Sequence, residues 1–139
     1  MTARTPIHDF AIEQVNHLLT RLAFQVHRVA KQPGPEEIHD LRVSIRRFSQ
    51  GLSVFDHFFP PWEVKKVTKR LKRMMRLTSQ IRDRDVALEF LAGAKHDAHR
   101  QRLEIERATC RRELSEMVRR WTARDFSAKW RMGLSLHSV

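Results

Sequence analysis

The chain has 139 residues, enough for one domain around a single core, and its 41% hydrophobic and 31% charged residues exclude wholesale disorder. It has 4 glycines, 5 prolines and no tyrosine, so strand and turn signals are scarce and an all-α fold is favoured. The formal net charge of +11 predicts a polyanionic partner, without distinguishing nucleic acid, an anionic membrane surface and polyphosphate.

The single cysteine, Cys110, excludes an intrachain disulfide and a zinc site built from cysteines. The first ten residues lack the apolar core of a signal peptide, and no run approaches the ~18 apolar residues that span a membrane. We therefore expect a cytoplasmic protein that does not enter a membrane.

The first half of the chain predicts three helices in succession. Apolar residues recur at three- and four-residue steps through residues 7–31, which predicts the first helix. The stretch QPGP at 32–35 ends that helix and begins a second one over 35–57. A Pro-Pro pair then begins a third helix over 62–78.

The second half predicts a break and one further long helix. The segment SQIRDRD at 79–85 interrupts the apolar period, so we expect a helix break there, followed by a short helix. Gly93 permits a bend before a last long helix over 96–121. Four main helices with short links predict an antiparallel four-helix bundle with short helical additions. The single domain would have its core over about residues 7–122, and the extension 123–139 would form a short helix with a frayed end.

The positive charge is concentrated on two of the predicted helices. Residues 61–82 carry eight Lys and Arg against one acidic residue. At 100° per residue, His39, Arg42 and Arg46 of the second helix form one narrow strip away from its apolar stripe, and Arg47 lies to one side. A solvated helix face normally intersperses acidic residues at i, i+4, and this strip has none. A solvated face and an anion-binding site both remain open at this point.

The third helix carries five cations roughly opposite its apolar stripe, namely Lys65, Lys69, Lys72, Arg73 and Arg76. Like charges at i, i+4 destabilise an isolated helix by a few tenths of a kcal/mol per pair, which a bound anion would offset. Guanidinium and ammonium groups suit phosphate oxygens. The sequence holds no convincing helix-turn-helix, and its phenylalanines are expected in the core, so a chain of phosphates is favoured over base recognition.

Two motifs resemble those of the CHAD family, the conserved histidine α-helical domain: HDLRVSIRR at 39–47 and, after a basic helix, RDRDV at 82–86. The resemblance covers roughly residues 7–122. It implies a helical bundle that binds inorganic polyphosphate in a basic groove of the second and third helices, without catalysis and without a cofactor. The residues it implies for the groove are His39, Arg42, Arg46, Arg47, Lys65, Lys69, Lys72, Arg73, Arg76 and Arg82. Arg82 would contact phosphate, or it would hold the helix break by pairing with Asp83 or Asp85.

The chain departs from the family pattern in its length. A full domain of this family is nearly twice as long and has two similar halves, each with its own His-x-x-Arg helix, and this chain resembles the N-terminal half. Either two chains pair as a homodimer that completes the groove, or the chain is a truncated or degenerate copy that binds weakly. The symmetric dimer is the more economical of the two.

Two other functions are compatible with the residues: non-specific binding of nucleic acid by the same basic helices, and an enzyme of phosphate metabolism. Against an enzyme stand the absent nucleophile motif, P-loop and metal cluster. Asp83 and Asp85 are better explained as a helix cap and salt bridges than as paired catalytic carboxylates. His96 and His99 lack a third ligand at helical spacing, so no metal site is predicted. The three tryptophans are expected to be packing anchors at helix ends.

Overall fold

The computed structural model describes residues 5–93 and 97–136, with Asp97 described by its backbone alone. Within these ranges the chain forms five α-helices and one turn of 3₁₀-helix and has no strand, which confirms the predicted all-α fold. The helices are α1 (Pro6–Lys31), α2 (Pro35–Val54), α3 (Pro61–Phe90), α4 (Asp97–Ala123) and α5 (Phe126–Gly133), and the 3₁₀ turn covers Asp56–Phe58.

Prolines and one side-chain cap fix where the first three helices begin. Pro6, Pro35 and Pro61 each stand in the first turn, where an N–H would have no helical partner and the fixed φ of proline is already helical. At α1 the Thr5 hydroxyl also accepts a hydrogen bond from the His8 N–H at 3.2 Å. The links before α2 and α3 are consequently short, as the proline-rich stretches predict.

The helices α1 to α4 form a closed ring in which each packs against two neighbours. Arg28, near the end of α1, pairs with Asp40 near the start of α2, and Asp85 of the last turns of α3 pairs with Arg107 in the first half of α4. Adjacent helices are therefore antiparallel, as in an up-down-up-down bundle. The largest fully buried side chains between them include Leu19, Leu22, Leu41, Ile45, Phe48, Leu71, Met74, Ile81 and Leu114.

The helix α3 runs through residues 79–85 without a break, so the predicted break and the Asp83 cap are wrong. Leu77, Ile81 and Leu88 keep one buried face through this stretch at four- and seven-residue steps. No glycine or proline interrupts the helix between its first residue and its end. The sequence pattern suggests a break because charged residues outnumber apolar ones there.

Those charged residues are satisfied by α4. The Asp85 Oδ1 lies 3.2 Å from Arg107 Nη1 and 3.5 Å from Arg111 Nη2. Beside it, Arg84 Nε lies 3.3 Å from Glu106 Oε2. Arg84 and Asp85 of the RDRDV motif therefore join α3 to α4, whereas Arg82 lies on another side of the helix.

The segment after α4 belongs to the core as far as residue 136 and is not frayed there. Phe126 and Trp130 of α5 are buried, as are Leu134 and Leu136 beyond it. Trp130 stacks on Phe48 of α2 with ring centroids 5.9 Å apart. The pattern of this tail is weak because its buried residues are divided between a short helix and an irregular segment, which no single period describes.

The expectation for the tryptophans holds for two of the three. Trp121 and Trp130 meet edge to face with centroids 5.3 Å apart, and both contact the ring of Phe126. Trp62, at the start of α3, is 70% exposed, so the expectation that it anchors a helix end is wrong. Its position next to the Pro-Pro pair leaves it on the solvent side of the first turn.

Candidate functional site

Arg42 joins α2 to α3 through one end of its guanidinium. Its Nη1 donates to the Met75 carbonyl at 3.0 Å, to the Thr78 hydroxyl at 2.8 Å and to the Ser79 hydroxyl at 2.9 Å. Thr78 is itself fully buried and donates to the carbonyl one turn back in α3. Arg42 is therefore the half-buried base of a groove whose walls are α2 and α3.

Further cations surround this guanidinium. Burial lowers the pKa of Arg42, the positive charges of Arg46 and Arg82 lower it further, and the carboxylate of Asp83 acts in the opposite direction. Arg46 and Arg82 are thus within electrostatic reach of Arg42, although they come from different helices. Both are exposed, which leaves their donors directed to solvent.

Three of the lysines of α3 and Arg76 lie toward the side of that helix that faces Arg42. Taking Ser79 as the residue that faces Arg42, Lys65 and Lys72 fall within about 40° of it around the axis, and Lys69 and Arg76 within about 80°. All four are exposed. We refer to the following set as the α2–α3 groove: His39, Arg42, Arg46, Lys65, Lys69, Lys72, Arg76 and Arg82.

Two of the ten predicted site residues lie elsewhere. Arg47 stands two turns after Asp40, on the side of α2 that pairs with Arg28 of α1, about 140° from Arg42. Arg73 lines a cavity that α3 forms with α4 and α5, although it lies only about 40° around α3 from Lys69. The helical wheel of the sequence places Arg73 opposite the apolar stripe, and it cannot tell which neighbouring helix that position borders.

Among the described residues, the cations of the groove form no ion pair with a carboxylate. In the part of the chain that the structure describes, the ion pairs join Arg28 to Asp40, Arg84 to Glu106, Arg100 to Glu104, and both Arg107 and Arg111 to Asp85. None of the eight groove residues forms an ion pair with a carboxylate among the described residues. The positive charge of the groove is therefore available to an anionic ligand.

A second basic surface, which the sequence did not predict as a site, lines a cavity of about 470 Å³ between α3, α4 and α5. We refer to it as the α3–α5 cavity. Its cationic side chains are Lys66, Arg70, Arg73, Arg120, Arg124 and Lys129. The signal for it was present in the run of basic residues at the end of α4, but only the docking of α5 brings them next to α3.

Among the described residues, the other chemical candidates of the sequence are not brought together in a group that could hold a metal ion. Burial lowers the pKa of Arg42 and the negative charge of Asp83 partly offsets this, whereas Asp85 pairs with two arginines of α4. The two carboxylates therefore have different partners and do not act as a pair. Of the two histidines considered for metal binding, His96 lies outside the described residues, and His99 is 3.0 Å from an Arg102 nitrogen. Over residues 5–93 and 97–136, no helix has both the length and the hydropathy to cross a membrane.

These features define a basic helical bundle with exposed cations along α2 and α3 and a cation-lined cavity between α3, α4 and α5. Compared with protein families, the chain matches the CHAD domain over residues 13–138. The chain therefore belongs to the CHAD-domain family, and the match extends through α5, beyond the region in which the two motifs lie. Neither the curated proteins nor the solved structures give a match.

Proposed function

We propose that the chain is a binding protein that holds inorganic polyphosphate, or a similar polyanion, in the α2–α3 groove without transforming it. The observation that carries the proposal is the set of eight basic or donor side chains on one groove with no carboxylate partner among the described residues. CHAD domains are in general non-catalytic binding domains, and polyphosphate binding is consistent with membership of the family.

The shape of the groove supports a linear ligand over a single small anion. From Lys65 to Arg82 the basic side of α3 extends about 25 Å along the helix axis, because each residue rises ~1.5 Å. Arg42 and Arg46 face the distal part of this row. Arginine forks and lysine ammonium groups contact phosphate oxygens with charge-assisted hydrogen bonds, so successive phosphates would find successive donors.

The test compares two variants of identical net charge. The groove triple variant removes three exposed arginines of the groove: Arg46→Gln, Arg76→Gln and Arg82→Gln. The control triple variant removes three exposed arginines of α1 and α4 outside it: Arg21→Gln, Arg112→Gln and Arg119→Gln. All six are exposed and lack ion pairs in the described structure, so neither variant should unfold.

Calorimetric titration with long-chain polyphosphate should then distinguish binding in the groove from general attraction by the net positive charge of the protein. Three interactions of roughly 0.5–1 kcal/mol each predict about 10- to 100-fold weaker binding for the groove triple variant. The control triple variant should bind no more than about threefold more weakly, through the reduced long-range field. Equal reductions in the two variants would reject the groove and leave only the net charge as the cause of binding.

Nucleic acid is the competing ligand, because the same cations suit a sugar-phosphate backbone. Among the eight groove residues the imidazole of His39 is the one aromatic ring, so the groove offers little surface on which bases could stack. A competition at equal phosphate concentration distinguishes the two. Polyphosphate should displace single-stranded and duplex DNA from the groove, and the reverse order would assign the protein to nucleic acid.

A homodimer is part of the same proposal, and it should depend on the ligand. Two copies that face each other across the groove bring two cation rows together, so the protein alone should remain monomeric at low salt. A polyphosphate chain between the rows would remove the repulsion and hold both copies. Light scattering should therefore give a mass near 16.5 kDa without polyphosphate and, with it, twice that mass plus the mass of the bound polyphosphate chain.

A further inference from the structure

The α3–α5 cavity concentrates positive charge in a way that a solvated surface does not require. Six cationic side chains, from α3, α4, α5 and the turn between α4 and α5, line it, and none of them forms an ion pair in the described part of the chain. Inside a concave wall of low polarizability their fields add and are less screened than on a convex face. An anionic ligand in the cavity would convert that repulsion into binding energy.

The one carboxylate of the cavity is buried and makes no polar contact within the described chain. Glu63 is 6% exposed, lines the cavity and forms neither a hydrogen bond nor an ion pair through its side chain with any described residue. It is held there by α5, since a Cβ at Gly133 would collide with the Glu63 carboxylate. A largely enclosed acceptor that lines the cavity beside six cations fits a ligand that carries hydrogen-bond donors as well as negative charge.

The third wall of the cavity is aromatic and rigid. Trp121 is half-buried and lines the cavity, and its indole is fixed between Phe126, with centroids 5.1 Å apart, and Trp130, at 5.3 Å. An indole that is held by two buried rings and exposes part of its surface can stack on a planar heterocycle at little entropic cost. A bare phosphate chain would leave this wall without a contact.

The size of the cavity limits the ligand to one small molecule. Its volume of about 470 Å³ lies in the range of roughly 300–1,000 Å³ that small-molecule sites occupy. The cavity lies on the far side of α3 from the residue that faces Arg42, because Arg70, which lines the cavity, and Ser79 stand about 180° apart around that helix. A ligand of the cavity is therefore distinct from the polyanion of the groove.

We propose that the α3–α5 cavity binds a nucleotide, with its phosphates on the cations, its base on Trp121 and a ribose hydroxyl or base amine donating to Glu63. Each of the three walls then has a partner of matching chemistry in one molecule. The class of ligand is a nucleoside di- or triphosphate, because a single phosphate would engage only a minority of the six cations.

The first test is calorimetric titration of the purified protein with ATP, inorganic triphosphate and adenosine as separate probes. ATP should bind at least about fivefold more tightly than triphosphate, because stacking on an aromatic side chain contributes roughly 1–3 kcal/mol per base and about 1.4 kcal/mol corresponds to a tenfold change. Adenosine should bind more weakly than either. Triphosphate that binds as tightly as ATP, or an absence of ATP binding, would overturn the assignment to a nucleotide.

Matched variants locate the site. The cavity double variant, Arg70→Gln/Arg120→Gln, should bind ATP with an affinity at least about tenfold lower than that of the wild type. The groove double variant, Arg46→Gln/Arg76→Gln, has the same charge and should bind ATP no more than about threefold more weakly. Both pairs are exposed, and circular dichroism would verify that each variant folds. A larger reduction in the groove double variant would place ATP in the groove and overturn the proposal while leaving the polyanion site intact.

Two single substitutions test the other walls of the cavity. Trp121→Leu should bring the affinity for ATP close to that for triphosphate, while Trp121→Phe, which retains a stacking surface, should preserve most of the difference. Glu63→Gln removes a negative charge, so it should raise the affinity for triphosphate. The ratio of the ATP affinity to the triphosphate affinity should fall as a result. If the ratio of the ATP affinity to the triphosphate affinity is the same in the wild type and in these three variants, neither the base nor the ribose contacts the cavity as proposed.

Discussion

Arg42 is expected to hold α2 against α3 in addition to serving the groove, whereas Arg46, one turn further along α2, serves the groove alone. Replacing each with methionine keeps an unbranched apolar stem and removes the charge and the donors. In Arg42→Met the Met75 carbonyl and the Ser79 hydroxyl are deprived of a charged donor that lies at 3.0 Å and 2.9 Å. Arg46→Met removes no hydrogen bond or ion pair of the described structure.

The size of the effect follows from the donors that Arg42 provides. A hydrogen bond to a charged group contributes roughly 1.5–3 kcal/mol when it is shielded from water. Three features reduce that figure here: Arg42 is half-exposed, the Thr78 hydroxyl keeps the Met74 carbonyl as its acceptor, and repulsion by Arg46 and Arg82 disappears. We expect the free energy of unfolding to fall by about 1–2 kcal/mol in Arg42→Met, against no more than about 0.5 kcal/mol in Arg46→Met.

Urea unfolding followed by tryptophan fluorescence measures both values, since Trp121 and Trp130 report on the packed end of the bundle. Polyphosphate titrations of the same proteins provide the second readout, and both variants should bind more weakly than the wild type. The reasoning is refuted if Arg42→Met is as stable as the wild type, or if Arg46→Met is destabilised as much as Arg42→Met.

Three further predictions test the groove, the α3–α4 contact and the docking of α5. The affinity for polyphosphate should fall steeply as salt rises, and the groove triple variant should show a shallower dependence, by about one unit of log–log slope for each arginine that no longer binds a phosphate; equal slopes would contradict direct binding of phosphate by these arginines. Asp85→Asn should lower the free energy of unfolding by about 1 kcal/mol through its pairs with Arg107 and Arg111 and leave polyphosphate binding unchanged; weaker binding at unchanged stability would assign Asp85 to the groove. Gly133→Ala should lower the free energy of unfolding by about 1–3 kcal/mol, and adding Glu63→Ala to it should restore part of that loss. Unchanged stability in Gly133→Ala would show that α5 does not pack against Glu63.

The sequence predicts helices well where a local cause decides them, and it fails where a neighbouring helix does. The starts of α2 and α3 follow from proline at the first turn, which needs no tertiary information. The charged residues at the end of the 79–85 stretch are accommodated in α3 by Arg107 and Arg111, which lie on another helix and pair with Asp85. A local pattern contains no information about that partner, so a run of charges within a helix resembles its end.

The candidate site shows the same division. Helical spacing groups His39, Arg42 and Arg46 on one side of α2, since the angle between residues on one helix is fixed by its geometry. It does not indicate that Arg42 turns inward to Thr78 while Arg46 remains in solvent, because that depends on hydroxyl groups of α3. It also assigns Arg73 to the groove, since only the position of α5 shows which side of α3 borders the cavity.

The helix α3 is the common wall of both basic surfaces, which explains why the excess charge of the chain is concentrated in residues 61–82. An anion in the groove and an anion in the cavity would be separated by about the 10–12 Å diameter of one helix. That distance slightly exceeds the Debye length of ~8 Å at physiological ionic strength, so the two ligands should bind almost independently there. At roughly 0.01 M salt the screening length rises to ~30 Å, and filling one surface should weaken the other. Saturating polyphosphate should therefore reduce ATP affinity at low salt only, whereas a reduction of ATP binding that persists at physiological salt would mean that the two ligands share one site.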